Sequence, residues 1–332
     1  MTPSCVVLYS GGLDSILACK LLQENGVKTI ALRFVTPFFG YELIGREEKA
    51  HSEAMGTYGI DLRIADISRR FMQMVRNPRH GYGKNLNPCI DCKILMVREA
   101  LKRLGVFGAD FVATGEVLGQ RSMSQKRHTL RAIEEESGAK GLLFRPLSAL
   151  NFPPTPMEEQ GLLDRSRFLG LTGRARKEQI ALAARYAIAD YPAPSGGCLL
   201  ADPTLSRRFR RMFAMWPKLG IRDLLLAQVG RHFLLPDGSW LVIGRNDNEN
   251  IRLASLLKED DRELRMADIP GPTGLWRWAG AGGHGYMAAR ILRRYAKGRI
   301  PLRVTFLGSG LERQEIDGIV PATDETIQRL RL

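Results

Sequence analysis

The chain has 332 residues, 44% hydrophobic and 25% charged, with a formal net charge of +14. That length exceeds one ordinary core and predicts two domains, and the apolar content excludes a disordered or fibrous chain. Five cysteines, an odd number with two in Cys-x-x-Cys spacing, exclude a disulfide framework and fit a reducing compartment, while the positive charge predicts a polyanionic partner, nucleic acid above all. With no signal-peptide pattern and no run of 18 apolar residues, a cytoplasmic protein without a membrane span is expected.

In chain order, "CVVLYS" (5–10) is predicted as a buried strand and "DSILACKLLQEN" (14–25) as a helix stopped by Gly26. "KTIALRFVT" (28–36) is a second strand, "EEKAHSEAMGTYG" a helix and "LRIADI" (62–67) a third strand. The long loop "NPRHGYGKNLNPCIDC" (77–92) leads into helix "KILMVREALKRLG". "ADFVATG" (109–115) is a strand, "QRSMSQKRHTLRAIEEES" a helix and "GLLFRPL" (141–147) a strand. This alternation predicts an α/β fold with a doubly wound parallel sheet, whose ligands bind beyond the carboxyl ends of the strands.

"NFPPTPMEEQG" then breaks the pattern, "TGRARKEQIALAARYAI" is a further helix, and "YPAPSGGC" is a tight loop. "SRRFRRMFAMWPKLG" (206–220) is basic and helical, and "RHFLLPDGSWLVIGRN" carries a hairpin signal at Pro-Asp-Gly. The predicted organisation is a first domain over 1–202, a basic linker helix over 203–219 and a smaller α+β domain over 220–332.

Between the first strand and the first helix stands Ser10-Gly11-Gly12-Leu13-Asp14-Ser15. Glycines let backbone N–H groups approach a phosphate, the serines add hydroxyl donors, and the helix N-terminus favours an anion. Asp14 either caps the helix or assists in holding Mg2+. The bland reading is a tight turn with an Asp cap. The Walker A pattern is absent. "GAGGHG" (280–285) satisfies Gly-x-Gly-x-x-Gly but lacks the preceding strand and following acid of a dinucleotide site, which leaves a plain glycine loop or one facing RNA phosphate.

Cys89 and Cys92, just before a helix, and Cys198, in a glycine-rich turn, are flanked by turn residues, whereas Cys5 and Cys19 read as small core residues. For the first three, two functional readings compete. They hold an iron–sulfur cluster that leaves one iron open for sulfide, or one carries a persulfide that another resolves. A zinc site would need a fourth ligand, such as His80 or an Asp.

The loop Ser10–Ser15 resembles the signature of the PP-loop (N-type) ATP pyrophosphatases, whose adenine nucleotide alpha hydrolase-like (HUP) fold and chemistry it implies. In that chemistry ATP adenylates a carbonyl oxygen, pyrophosphate leaves, and a nucleophile displaces AMP. Together, "SGGLDS", "NPCIDC", "ATGE" and "PSGGC" resemble the tRNA thiolase branch, ThiI-like with some likeness to MnmA, over roughly residues 4–205. The resemblance implies that Ser10, Gly11, Gly12, Leu13, Asp14 and Ser15 hold the ATP phosphates and Gly115 lies near the nucleotide. It places Cys89, Cys92 and Cys198 at the three-cysteine positions of the 4Fe-4S thiolases. Lys93, beside Cys92, is a candidate for steadying charge.

Residues 202–332 hold 22 Lys and Arg against 15 Asp and Glu. "GRHFLLPDGSWLVIGRNDNENIRLASL" resembles the NFACT RNA-binding module through Gly244, Arg245, Asn246 and Asn250. Arg245 offers a planar fork for phosphate, the asparagines offer bonds to bases or riboses, and Trp276 and Trp278 offer stacking surfaces. "RILRRYAKGR" (290–299) adds five basic residues. ThiI proteins carry an RNA-binding module ahead of the PP-loop, so here the second domain is expected to take that part. The expectation is an ATP-dependent tRNA sulfurtransferase acting on a uridine, with a cysteine desulfurase or free sulfide as sulfur donor. Its rivals are an amide-forming synthetase, which gives the three cysteines no task, and a non-catalytic RNA-binding adaptor.

Overall fold

The computed structural model describes the chain except residues 1, 193–197, 280–283, 299–301 and 309–310. The Pro-Ser-Gly-Gly turn ahead of Cys198 and most of the 280–285 glycine pattern thus lie outside the described residues. The chain divides into two compact units, Met1–Ser206 and Arg207–Leu332.

The first unit runs β1 (Ser4–Leu8), α1 (Leu13–Glu24), β2 (Lys28–Val35), α2 (Glu47–Tyr58), β3 (Leu62–Asp66), α3 (Ser68–Arg76), α4 (Cys89–Leu101), α5 (Leu104–Phe107), β4 (Phe111–Thr114), α6 (Arg127–Ser137), β5 (Leu143–Phe144), α7 (Pro156–Glu159) and α8 (Lys177–Arg185). Its five parallel strands lie in the order β3-β2-β1-β4-β5. Strand β1 is buried at every residue, as a central strand covered on both faces must be. The connections leave β1 in one direction and β4 in the other, so the crevice for a ligand opens between the carboxyl ends of these two strands.

Three local readings are corrected. The strand expected over 141–147 shrinks to Leu143–Phe144, because Arg145 turns into ion pairs and Pro146 has no N–H to give. The helix expected from residue 120 begins at Arg127; a turn closed by Gly119 N–H to the Gln125 carbonyl (2.7 Å) precedes it. Helix α3 went unanticipated, although Phe71 and Val75, one helical turn apart, form its buried stripe.

Helix α9 (Pro203–Met215) follows. The second unit contains α10 (Ile221–Leu226), β6 (Arg231–Leu234), β7 (Trp240–Ile243), α11 (Asp247–Ser255), β8 (Arg262–Met266), β9 (Gly274–Arg277), α12 (Gly285–Arg294), β10 (Leu302–Gly308), β11 (Leu311–Ile319) and α13 (Asp324–Leu330). The six strands form an antiparallel sheet, β11-β10-β8-β9-β7-β6, with β6 and β7 joined as the predicted hairpin. Ala288, Ala289, Ile291 and Leu292 of α12, with Ile327 and Leu330 of α13, complete its core. Arg277, wholly buried, is held by Asp261 (Nη2–Oδ2 2.6 Å), Asp223 (Nη1–Oδ1 2.7 Å) and the Leu256 carbonyl (2.8 Å). Among the described residues no helix is long and apolar enough to cross a membrane.

Candidate active site

The loop after β1 is built for a close approach. Gly11 has φ +80, a left-handed conformation that favours glycine. Ser15 Oγ donates to the Gly12 carbonyl (2.7 Å) and accepts from Ser10 N–H (3.3 Å), and Gly12 N–H donates to Ser10 Oγ (3.3 Å). Gly12 is the N-cap of α1, and no side chain caps that helix end; Ser15 and Ile16 N–H donate to the Gly12 carbonyl, and the N–H groups of Leu13 and Asp14 are left without a capping side chain. Asp14 is therefore not the cap. Its Oδ2 accepts from Gln120 Nε2 (2.8 Å), Arg176 Nη2 stands 3.8 Å from Oδ1, and Oδ1 is buried without a hydrogen bond. Gln179 in turn donates to Gln120 Oε1 (3.2 Å). A buried carboxylate oxygen left unpaired at this point suits a cation such as Mg2+. Arg33 flanks the loop from β2: a Cβ on Gly11 would lie 3.0 Å from its Nη1.

Strand β4 ends against the same loop. A Cβ on Gly115 would lie 2.3 Å from the Asp14 carbonyl oxygen and 2.9 Å from Ser15 N, so glycine is required there for backbone to touch backbone. The next residue, Glu116, is buried. It accepts from Thr114 Oγ1 (3.1 Å) and Arg145 Nε (3.4 Å) and lies 3.7 Å from Lys93 Nζ. Lys93, itself on the helix that carries Cys89 and Cys92, thus links that helix to a buried carboxylate.

Cys89 and Cys92 lie not before α4 but in its first turn, since Cys92 N–H already bonds the Pro88 carbonyl (2.8 Å). The segment carrying Cys198 is tied to the same place: Leu86 N–H donates to the Leu200 carbonyl (3.0 Å) and Asn85 Nδ2 to the Ala201 carbonyl (2.7 Å). Burial pushes the Cys92 thiol up to about 12, helped by Cys198 and Cys89 and opposed by Lys93. Burial also raises Cys198 to about 11, with Cys89 adding to the shift. Cys89 is raised by burial against the pull of Arg121 and Lys93, and its Sγ donates to Asn87 Oδ1 (3.1 Å). The three thiols therefore feel one another's charge. Cys5 and Cys19 are wholly buried in the core, as expected.

His80 is not a ligand to spare. Its Nδ1 lies 3.3 Å from Asp91 Oδ1 and its Nε2 2.9 Å from Glu136 Oε1. Asp91 also accepts from the backbone N–H groups of Arg79 (3.1 Å) and His80 (3.0 Å). The histidine named for a zinc site, and Asp91 with it, are thus committed to each other and to their neighbours. Among the described residues no group of three or more His, Cys, Asp or Glu side chains is gathered closely enough to hold a metal ion, and Cys89, Cys92 and Cys198 are no exception. What the chain offers is an all-thiol donor set beside Lys93 and Arg121, which suits a group bound by thiolates.

The stretch "TGEVLGQRSMSQ", which holds Glu116 and Gln120, resembles a nucleotide-contacting segment of ThiI-like proteins, although neither residue was named as a site. Sequence reasoning missed Arg33, Arg176 and Arg145, which arrive from distant positions with no local signature.

In the second unit, the candidate RNA residues are engaged internally. Arg245 forms a fork on Glu249 (Nη2–Oε1 2.6 Å, Nε–Oε1 2.9 Å) while staying half exposed. Asn246 is the N-cap of α11, its Oδ1 accepting from Glu249 N–H (3.0 Å). Asn250 Oδ1 accepts from Thr273 N–H (3.0 Å) and fills the space a side chain on Gly244 would need. The Gly-Arg-Asn pattern is therefore first a self-bracing turn. Trp276 is buried and donates to Ser239 Oγ (2.7 Å), which removes it as a stacking surface; Trp278 is exposed. In the basic stretch 290–299, Arg293 is buried, donating to the Gly298 carbonyl (2.6 Å), and Arg294 pairs with Asp324 (2.5 Å).

A parallel sheet of this order, with a Ser-Gly-Gly-x-Asp-Ser turn at the crevice beside its central strand, is a doubly wound α/β domain, the fold class expected for a PP-loop domain. Residues 2–151 match the family model described as thiamine biosynthesis protein (ThiI), and residues 230–331 that of the NFACT protein RNA binding domain. Two separate stretches of the chain are thus similar to known families, the first to ThiI and the second to the NFACT RNA binding domain. It is 25% identical over 268 residues to the tRNA-specific 2-thiouridylase MnmA of Xylella fastidiosa (strain M12), covering 75% of this chain and 70% of that protein. To the MnmA of Sulfurimonas denitrificans it is 32% identical over 123 residues, 36% of each. Among solved structures, a 4-thiouridine synthetase–RNA complex with bound ATP aligns at 19% identity and TM-score 0.37, over 68% of this chain and 52% of that one. The tRNA thiolase NcsA from Methanococcus maripaludis, with its 4Fe-4S cluster, aligns at 18% and 0.33, over 65% and 68%.

Proposed function

We propose that this chain is an ATP-dependent tRNA sulfurtransferase forming AMP and pyrophosphate. In this reading Ser10–Ser15, the open end of α1, Arg33 and Arg176 hold the triphosphate, and Asp14 helps hold Mg2+ on the pyrophosphate oxygens. A uridine carbonyl oxygen, O4 or O2, attacks the α-phosphorus. The bond to the bridging oxygen breaks and pyrophosphate leaves with the electron pair. The oxygen has then become part of a good leaving group. A sulfur nucleophile adds to the same ring carbon, the C–O bond breaks, AMP departs, and a thiocarbonyl remains.

Cys89, Cys92 and Cys198 form the sulfur end of the site. They would hold a 4Fe-4S cluster, which would supply an open iron for exogenous sulfide; the alternative carrier is a persulfide delivered to one thiol by a cysteine desulfurase, whose outer sulfur displaces AMP before a second thiol attacks the inner sulfur, so that the S–S bond breaks, a disulfide forms and the thiocarbonyl is released. The raised thiols must lose their protons when such a group binds, and Lys93 and Arg121 favour that loss. Sulfur comes from a cysteine desulfurase or free sulfide. The second unit reads the tRNA; its family likeness and basic surplus support this.

One observation carries the reading. Gly115 touches the phosphate loop, and Glu116, the next residue, reaches Lys93 beside Cys92. The nucleotide end and the sulfur end of the site are thereby joined through a single dipeptide. The test incubates the protein without oxygen with ATP, Mg2+, sulfide and tRNA from a strain lacking the gene. Nucleoside mass spectrometry is expected to find a thiouridine, with AMP and pyrophosphate in step. ADP and orthophosphate as products, or unchanged nucleosides, would overturn it.

A further inference from the structure

Trp278 stands immediately after β9, every residue of which is buried. Its φ is +57, a left-handed conformation that a bulky side chain adopts only under constraint from its surroundings. That conformation turns the indole outward, so that of the four tryptophans it alone is exposed, at 39%. The ring does not hang free. It lies 4.8 Å from the ring of Trp216 and 6.0 Å from that of Trp240, the latter at an interplanar angle of 30°. Trp216 and Trp240 stack at 5.3 Å, and Trp240 stacks on His232 (5.6 Å) while its Nε1 donates to His232 Nδ1 (3.2 Å). One side of Trp278 is thus backed by a stiff aromatic wall.

The surroundings are cationic. Burial makes His232 hard to protonate, and the charges of Arg208 and Arg245 act on it in the same direction, which puts both guanidinium groups within electrostatic reach of the wall. Helix α9, which leads into Trp216, carries Arg207, Arg210 and Arg211 exposed.

We propose that Trp278 is a stacking platform for an unpaired RNA base, whose neighbouring phosphates run past the arginines of α9. The proposal rests on the second unit being an RNA reader and names the part of RNA it reads. A single exposed ring rimmed by cations matches one base and its phosphates, whereas a protein partner would need a wider apolar patch. A ring already immobilised by its neighbours loses little freedom when a base stacks on it, and stacking tolerates any sequence because every base has a π-face.

The test uses the full-length protein with a labelled oligoadenylate and, separately, a duplex RNA of equal length. Trp278→Ala is expected to weaken oligoadenylate binding about 5- to 100-fold, to leave the salt slope unchanged, and to leave duplex affinity intact. Trp278→Phe restores most of the affinity, while the quenching of tryptophan fluorescence on oligoadenylate binding largely disappears. Melting curves of both variants check that the second unit remains folded. If wild type binds oligoadenylate and Trp278→Ala binds it equally well, or loses both RNAs alike, the platform is overturned and the RNA reading stands. If wild type binds neither RNA, both fail.

Discussion

Gly115 and Asp14 meet backbone to backbone: the end of β4 is pressed against the first turn of α1 with no room for a methyl group, which would lie 2.3 Å from the Asp14 carbonyl oxygen. Gly115→Ala must push the phosphate loop away from the strand. A destabilisation of about 1–3 kcal/mol is expected from overpacking, together with a fall in AMP formation of about 10- to 100-fold as the loop is displaced. Gly56→Ala, inside α2 with nothing within 4 Å, serves as the control. It should stabilise by about 0.5–1 kcal/mol and leave turnover alone. Thermal melts and an AMP assay read both.

The three-thiol site makes a colour prediction. Protein purified without oxygen should be brown, with iron and sulfide in near-equal amounts. Cys89→Ala, Cys92→Ala and Cys198→Ala should each lose most of the iron. Cys5→Ala and Cys19→Ala, in the core, and His80→Ala, whose ring is committed to Asp91 and Glu136, should keep it. A colourless protein with stoichiometric zinc would remove the cluster from the mechanism.

Acid should strike α4 from its other end. Glu99 is buried, which alone would raise its carboxyl, but Arg70, Arg103 and Lys102 outweigh that and hold it at about 2. The unfolded chain takes up this proton near pH 4.3, so the folded state binds fewer protons between these values. The stabilisation is complete above about pH 4.3 and is lost as pH falls toward 2. Glu99→Gln should flatten that limb of an acid-unfolding curve followed by circular dichroism; an unchanged limb would show that other carboxylates control it.

In the second unit, Asn250 and Arg245 should separate cleanly. Asn250→Ala leaves Thr273 N–H without its partner and should destabilise by about 1–3 kcal/mol, with RNA affinity falling only as the fold is lost. Arg245→Ala should leave the melt nearly unchanged and reduce the slope of log K against log salt by about one. A salt titration of RNA binding, run beside urea unfolding, distinguishes them.

The sheet and its crevice were legible because their signals are local. The apolar run Cys5–Leu8 in β1, with Gly11 and Gly12 close behind it, announces both a central strand and a tight glycine turn. The cysteine helix was read one turn late, because Pro88 ends the eye's search for a helix while its carbonyl already accepts the first helical bond. Arg176 was invisible, and Gln120 was legible only as part of the stretch "TGEVLGQRSMSQ": each reaches Asp14 from more than 100 residues away, and nothing in "LGQ" or "GRARK" announces that contact. The structural bonds of Asn246 and Asn250 were not legible because a helix cap, a loop brace and a base contact all draw on the same side chain. Composition cannot tell these uses apart; only the position of the partner N–H does.

The buried ion pairs of Arg277 decide where this chain can be cut. A fragment trimmed to the RNA-binding match, residues 230–331, discards Asp223 and leaves half of a guanidinium unanswered in the middle of the sheet, at a cost of about 3–5 kcal/mol. It also strips Trp216 from the wall behind Trp278. Beginning the piece before α9 keeps both, so the smallest piece that preserves this core and this wall is longer than the matched stretch 230–331.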